Sequence, residues 1–225
     1  MPRLSRFATA FAALIGGGGG ASAGGPPAGF VRLADVAPGV RQDMRYAGVN
    51  NFTGRPVPGY GAAQCWLRRE AAEALAKVQA EAAADGLTLI VYDCYRPQRA
   101  TSAFVAWAAD PNDQLRKADY FPDVDKAQLF SGGYIGRKSA HSLGATVDVS
   151  FARVDGAPLD FGTPFDFFST RSATHAHGVS AEAARNRAEL VRRMAAQGFE
   201  NYAAEWWHFT LKGVAGLKAL DVEIR

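Results

Sequence analysis

Two separated segments of the chain carry side chains that could share one metal ion. His141 precedes Asp148, and Gly144 lies between them. Because glycine permits a tight turn, both side chains can be aimed at one point. Nearer the C-terminus, Glu205 and His208 enclose two tryptophans. Taken singly, the first pair is more often a solvated polar pair, and the second is more often a core histidine satisfied by a glutamate.

Together, the two segments supply two imidazoles and one carboxylate, the ligand set of a catalytic zinc site that keeps one position open. We therefore predict that His141, Asp148 and His208 hold one Zn²⁺. Glu205 would remain free to take a proton from the metal's water. Since residues three apart on a strand point to opposite faces, Glu205 must lie in a turn before the strand that carries His208.

A third candidate for chemistry is Arg96, which stands immediately before Pro97 at a predicted corner between a strand and a helix. Such corners present side chains into clefts. A fixed guanidinium there could stabilise the negative oxygen of a tetrahedral intermediate, an interaction whose loss costs on the order of 10² to 10³ in rate. The alternative for Arg96 is an ordinary surface salt bridge.

Hydrophobic periodicity and breaker residues predict the elements that must position these side chains. We predict strands at 40–46, 87–92, 144–151 and 206–211, helices at 67–84, 97–109 and 180–197, and a loop at 50–60. The strand at 144–151 alternates apolar and polar residues, with Asp148 on the polar face, which indicates one wet or functional side. Because the elements lack a regular βαβ alternation, we predict an α+β fold with a mostly antiparallel sheet flanked by helices.

Length and composition are those of one compact domain. The chain has 225 residues, of which 48% are hydrophobic and 21% charged. We predict a flexible Gly/Pro-rich lead at 24–29 and a single domain at 30–225. The formal net charge is only +3, and the basic residues are scattered, so neither nucleic acid nor a membrane surface is indicated as a partner. A small substrate fits better, and no feature indicates an obligate protein partner.

The N-terminal segment 1–23 has the features of a secretory signal. Arg3 and Arg6 are followed by an apolar stretch at 7–15 and by the small residues of 21–23. We predict cleavage after Ala23 and an exported protein, periplasmic or secreted. The apolar stretch is too short to span a bilayer, and no cysteine follows it that could carry a lipid anchor.

The two cysteines, Cys65 and Cys94, both lie in the predicted mature part. Export permits a disulfide, so we predict that they pair, which would stabilise the fold by roughly 3 to 4 kcal/mol. Two buried free thiols are the alternative. Metal binding is disfavoured because the cysteines lack CxxC spacing.

The runs SAHSLGATVD, DCYRP and EWWHF, taken together, resemble the D-alanyl-D-alanine dipeptidases of the VanX type. These belong to the zinc peptidases that include D-Ala-D-Ala carboxypeptidases and the hedgehog fold. The resemblance runs from about Asp43 to Thr210 and includes the segments 44–47, 51–54 and 165–167. It implies zinc ligands at His141, Asp148 and His208, the general base at Glu205, and Arg96 as stabiliser of the transition state.

The resemblance also suggests roles for two further residues. Asp166 would bind the substrate's ammonium group, and Ser139 would donate a hydrogen bond near the scissile unit or its carboxylate. Leu143 departs from the family, which carries a basic residue there, and could alter the charge of the cleft. We interpret His175 and His177, in a segment where the family is rich in histidine, as structural rather than as ligands of a second metal.

The residue before the tryptophan–histidine pair separates two branches of this family. Carboxypeptidases typically have a proline there, whereas this chain has Trp206, which favours a dipeptidase. We therefore expect hydrolysis of D-Ala-D-Ala to two D-alanines. The alternatives are a carboxypeptidase or endopeptidase acting on longer peptidoglycan stem peptides, and a non-catalytic zinc-binding module. Because an exported dipeptidase cannot reach the cytoplasmic dipeptide pool, we expect a role in dipeptide salvage or wall turnover rather than in glycopeptide resistance.

Overall fold

The computed structural model describes residues 24–225, so the predicted signal and its cleavage position lie outside the described residues. The described chain has an α+β fold, as predicted, whose main sheet has the strand order β2-β4-β5-β7-β6. Only the β2–β4 pair is parallel. The strands are β1 Phe30–Arg32, β2 Arg41–Gln42, β3 Trp66–Arg68, β4 Leu87–Asp93, β5 Thr146–Arg153, β6 Phe199–Asn201 and β7 His208–Leu211.

Three long helices match the predicted ones to within two residues at each end. The helices are α1 Leu33–Val36, α2 Arg69–Ala84, α3 Gln98–Ala109, α4 Lys117–Tyr120 and α5 Ala181–Ala196. The Ser180 hydroxyl caps α5 by accepting a hydrogen bond from the Ala183 amide. Helix α2 packs on β4 and α5 packs on β6, and the two helices also contact each other. Among residues 24–225, no helix combines the length and the apolar character needed to cross a membrane.

The predicted strand at 40–46 is wrong in its extent. Strand β2 covers only two residues, which pair with Ile90 and Val91. Arg45–Ala47 is a 3₁₀ helix instead, and it turns Tyr46 into the core. An aromatic ring of that size is stabilised more by full burial than by continuing an edge strand.

Strand β5 was predicted to have one wet or functional side, and its polar face is a functional side that is not wet, because Asp148 on it lines the candidate site. Its polar face is as deeply buried as its apolar face, since every residue of the strand but the last is buried. The Thr146 and Thr210 hydroxyls pair at 2.9 Å, and Ser150 pairs with the Tyr92 hydroxyl at 2.7 Å. Two of the three polar groups are thus satisfied by neighbouring strands. The third, Asp148, points into the candidate site.

The disulfide prediction is confirmed, since Cys65 and Cys94 are bonded with their Cα atoms 5.4 Å apart. The bond joins the residue preceding β3 to the residue following β4. It therefore fixes the start of the segment that carries Arg96.

Candidate metal centre

Three adjacent strands, β4, β5 and β7, place Asp93, Asp148 and His208 side by side in one row across the sheet. In the β4–β5 ladder Asp93 is the Cα partner of Asp148, and in the β5–β7 ladder Asp148 is the partner of His208. His141 comes from the 3₁₀ helix Ala140–Leu143 that precedes β5. Gly144 ends that helix with φ 82°, a left-handed conformation that glycine adopts without strain. The structure therefore brings the three predicted ligands together.

The candidate ligand atoms form a nearly equilateral triangle. The Nε2 atom of His141 lies 3.3 Å from Asp148 Oδ1 and 3.3 Å from His208 Nδ1, and the last two atoms are 3.1 Å apart. A tetrahedral zinc site with bonds of about 2.0–2.1 Å has ligand–ligand edges of about 3.3 Å. The triangle therefore matches one face of such a site.

Asp148 supplies a second indication that a cation belongs here. Its Oδ1 atom is buried and has no hydrogen-bond partner, although two imidazole nitrogens face it. Burial raises the pKa of Asp148, but the facing His141 and His208 together lower it by more, so that the net change is downward. A buried carboxylate oxygen without a donor is costly unless a positive charge compensates it. A divalent cation would satisfy this oxygen and both nitrogen lone pairs.

The ring of His141 is held in the orientation that a metal ligand needs. Its Nδ1 atom donates to the Cys94 carbonyl at 2.7 Å, which leaves Nε2 unprotonated and directed at the triangle. Such outer hydrogen bonds set the tautomer of a metal-binding histidine. The disulfide at Cys94 thus steadies the backbone carbonyl that orients His141.

Arg96 is held by a carboxylate that the sequence analysis did not single out. Asp93 is completely buried, and its Oδ2 atom accepts from Arg96 Nε at 2.9 Å and lies 2.8 Å from Nη2. Its other oxygen accepts from the Tyr60 hydroxyl at 2.6 Å. Burial lowers the pKa of Arg96, but Asp93 together with Tyr46, Tyr60 and Asp148 raises it by more, so that the guanidinium stays charged. The position of Asp93 at the end of a buried strand, three residues before Arg96, was the available sequence signal.

Glu205 lies in the predicted turn before β7, and its carboxylate faces the triangle. Its amide donates to the Tyr202 carbonyl, and its Oε2 atom is 3.5 Å from His208 Nδ1. Burial in the pocket raises the pKa of Glu205 to about 7, although the nearby His208 lowers it. A carboxyl group that titrates near neutral pH is suited to take up and release a proton.

The ligand triangle lines a cavity of about 290 Å³. That volume is at the lower end of the range for small-molecule sites. The aromatic residues that line it are Tyr46, Phe52, Phe104, Tyr134, Phe168, Tyr202 and Trp207. Arg96, Ser139, Asp166 and Glu205 also line it. Every residue predicted from the sequence for catalysis, metal binding or substrate binding therefore lies in one small cavity.

Asp166 is an acidic residue of the cavity outside the ligand triangle, and Lys138 also lines the cavity. Its side chain accepts from the Tyr46 hydroxyl at 2.7 Å. Within residues 24–225 it is the only non-glycine residue with positive φ, at 61°, and such backbone conformations concentrate at functional sites. Burial, together with the charge of Asp148, raises the pKa of Asp166 to about 8.

Ser139 caps the 3₁₀ helix that carries His141, whose amide donates to the serine Oγ at 3.3 Å. Since this oxygen serves as an acceptor, the hydroxyl proton can still be donated into the cavity. Leu143 is not among the residues that line the cavity. His175 and His177 are exposed and are not part of the ligand group, and their interpretation as structural remains a prediction.

Three converging ligands with an open side and a proton-accepting carboxyl group beside them define the chain as a metal-dependent hydrolase. A family model described as D-ala-D-ala dipeptidase matches residues 27–222. The chain belongs to this family and is a metallopeptidase.

Individual relatives agree with this assignment. The D-alanyl-D-alanine dipeptidase of Enterococcus faecium is 42% identical over 82% of this chain and 92% of its own length. The protein of the same name from Streptomyces coelicolor is 39% identical, over 81% of this chain and 91% of its own. That of Escherichia coli is 35% identical, over 84% of this chain and 88% of its own.

Proposed function

We propose that the protein hydrolyses the dipeptide D-alanyl-D-alanine to two D-alanines and that it uses one Zn²⁺ per chain. His141, Asp148 and His208 would hold the ion. The observation that carries the proposal is the triangle of ligand atoms at 3.1–3.3 Å, in which the buried Asp148 Oδ1 has no hydrogen-bond donor. The names of the relatives support the choice of substrate.

Glu205 would move the protons of the reaction. When bound, zinc acts as a Lewis acid that lowers the pKa of water from 15.7 toward about 7 and polarises a carbonyl group. Glu205 accepts a proton from the attacking water and then delivers it to the nitrogen of the departing D-alanine. Its distance of 3.5 Å from His208 Nδ1 places its carboxylate at the edge of the ligand group, where this water must stand.

Arg96 would face the oxygen that becomes negative when the peptide carbonyl is attacked. Its guanidinium lines the cavity, and its Nη2 atom lies 3.9 Å from Asp148 Oδ2. Because Asp93 already holds the guanidinium in place, little reorganisation is needed as the negative charge forms.

The two ends of the dipeptide would be bound by Asp166 and Ser139. The Asp166 carboxylate would pair with the free ammonium group, and the Ser139 hydroxyl would donate to the scissile unit or to the terminal carboxylate. A cavity of about 290 Å³ with a carboxylate inside it favours a short peptide with a free amine. The carboxypeptidase alternative needs an open path for a long stem peptide and has no use for an ammonium partner.

The most direct test combines metal analysis with a hydrolysis assay on the purified protein. We expect about one zinc per chain, release of D-alanine from D-Ala-D-Ala, loss of activity on chelation and recovery with Zn²⁺. The Glu205→Ala variant should keep its zinc and lose turnover. Retained hydrolysis in this variant would overturn the assignment of the base.

A second substrate separates the dipeptidase from the carboxypeptidase alternative. A pentapeptide that ends in D-Ala-D-Ala should be cleaved far more slowly than the free dipeptide. Faster cleavage of the pentapeptide would favour the carboxypeptidase. A protein that binds zinc but cleaves neither substrate would be a recognition module, although such a module would have no use for Glu205.

We also propose that the protein is exported and serves dipeptide salvage or wall turnover. The signal-like pattern of 1–23 and the bond between Cys65 and Cys94 support this, because disulfides persist in oxidising compartments. Cell fractionation tests the proposal, and a cytoplasmic enzyme would instead have access to the dipeptide pool used for wall synthesis. No obligate partner or membrane anchor is needed for this activity.

A further inference from the structure

The loop at 202–207 carries the proposed base and leads directly into the third ligand. It joins β6 to β7 with six residues, more than the two-residue turns that fix hairpin geometry most tightly. Its two tryptophans are buried, and the Trp206 indole donates its hydrogen bond to the Thr163 hydroxyl and not to the backbone oxygens of Glu205 and His208. Something else must hold those oxygens.

The Asn201 side chain holds both of them. Its Nδ2 atom donates to the Glu205 carbonyl at 3.1 Å and to the His208 carbonyl at 3.0 Å. Its Oδ1 atom accepts from the Thr174 hydroxyl at 2.6 Å, and Thr174 is itself buried. Both protons of the Asn201 side-chain amide are therefore donated to the segment that carries Glu205 and His208. The hydrogen bond from Thr174 to the amide oxygen fixes the orientation of the amide plane.

Without Asn201 the Glu205 carbonyl would be weakly held. Its other bond, from the His208 amide, is long at 3.3 Å, whereas the His208 carbonyl also accepts from the Tyr202 amide at 2.9 Å. The position of the Glu205 carbonyl thus depends more on the hydrogen bond from Asn201 than the position of the His208 carbonyl does. A displacement of about 1 Å at a reacting group can cost on the order of 10²-fold in rate.

We propose that Asn201 is a positioning residue that sets the proposed base against the third metal ligand. The inference rests on the proposed function of Glu205 and His208. Asn201 does not line the cavity, so it acts through the loop backbone and not by touching the substrate.

The test compares Asn201→Leu, which removes both donors at similar size, with Thr210→Val as a matched control. Thr210 lies on β7 two residues beyond His208, and its hydroxyl bonds only within the sheet, to Thr146. In Asn201→Leu we expect a Zn²⁺ dissociation constant raised about tenfold or more and kcat lowered about tenfold, as is typical when an outer-shell partner is removed. KM should change by less than about threefold, since nothing that would contact the substrate is altered.

The control should match the wild-type protein in zinc affinity and kcat. Equal shifts in the two variants, or a wild-type zinc affinity and kcat in Asn201→Leu, would overturn the proposal. If Asn201→Leu does not fold, Thr174→Val replaces it: the donors remain but their anchor is lost, so a smaller shift in the same direction is expected. Thr174→Val behaving like Thr210→Val would then count against Asn201. Zinc affinity, measured by competition with a chelator, needs no substrate and keeps its meaning even if D-Ala-D-Ala proves not to be the substrate.

Discussion

Asp148 Oδ1 lies 3.1 Å from His208 Nδ1, and the two residues are Cα partners in the β5–β7 ladder. Their separation is therefore set by strand pairing at the centre of the sheet and not by a flexible loop. Sites built on such elements hold their geometry more precisely than sites built on loops. Only His141, on the short 3₁₀ helix before β5, needs an additional restraint, and its bond to the Cys94 carbonyl supplies it.

Replacing Asp148 by asparagine should abolish stoichiometric zinc binding while the fold is retained. Asparagine has the same shape, but it removes the negative charge that would balance the cation between two neutral imidazoles. Metal analysis after dialysis, with circular dichroism as the check on folding, measures this. Ser150→Ala is the matched control, because Ser150 is buried on the same face of β5 and bonds Tyr92 outside the ligand group. One zinc per chain in Asp148→Asn would contradict the ligand assignment.

Asp166→Asn should lower kcat/KM for D-Ala-D-Ala by roughly 10- to 100-fold, the cost of losing one charge-assisted hydrogen bond. The change should be mainly in KM, and asparagine tolerates the left-handed backbone at this position. An N-acetylated dipeptide lacks the ammonium group. The ratio of kcat/KM for the free dipeptide to kcat/KM for the acetylated one should therefore be smaller in the variant than in the wild-type protein. Undiminished discrimination would show that another group recognises the amine.

Tyr46→Phe is the companion variant for Asp166. It removes the hydroxyl that donates to the Asp166 side chain and leaves the carboxyl group itself in place. We expect a smaller rise in KM than in Asp166→Asn, with discrimination against the acetylated dipeptide preserved. A rise as large as that in Asp166→Asn would mean that the phenol itself contacts the substrate.

Replacing both Cys65 and Cys94 by serine should lower the free energy of unfolding by about 3 to 4 kcal/mol, as the chain-entropy model gives for a loop of this length. The cysteines are 29 positions apart. Urea unfolding of the double variant, compared with the wild-type protein under oxidising and reducing conditions, measures the change. The reduced wild-type protein should resemble the variant. Equal stability of the oxidised protein and the double variant would argue against any stabilising role.

The grouping of His141, Asp148 and His208 could be predicted from the sequence because these residues occupy two short motifs whose spacing is tied to one strand and one turn. Residues three apart on a strand point to opposite faces, and this alternation was enough to predict that Glu205 lies in a turn before His208. Sequence pattern could not show that the polar face of β5 is dry, because that depends on which distant parts of the chain pack over that face. Nor could it show that α2 begins at Arg69: the preceding residues pair with Phe30–Arg32, and this non-local pairing overrides helix propensity.

Arg187→Met should destabilise the protein and loosen the segment that carries Asp166. Arg187 is completely buried on α5, and its guanidinium donates to the carbonyls of Phe161 and Ala173, which flank that segment. Methionine fills much of the space but leaves the Phe161 carbonyl without a donor, whereas the Ala173 carbonyl still accepts from the Ala176 amide at 2.9 Å. We expect a loss of about 1 to 3 kcal/mol.

Urea unfolding and the KM for D-Ala-D-Ala measure the two effects of Arg187→Met. We expect KM to rise more than kcat falls, because the substrate's ammonium partner is displaced while the metal ligands stay on the sheet. Arg192→Met is the control on the same helix: its guanidinium is exposed and bonds only Glu189, so stability and KM should stay close to wild type. If Arg187→Met were as stable as this control, the Phe161 carbonyl would have to find another donor, and Arg187 would not be what holds Asp166 in the cavity.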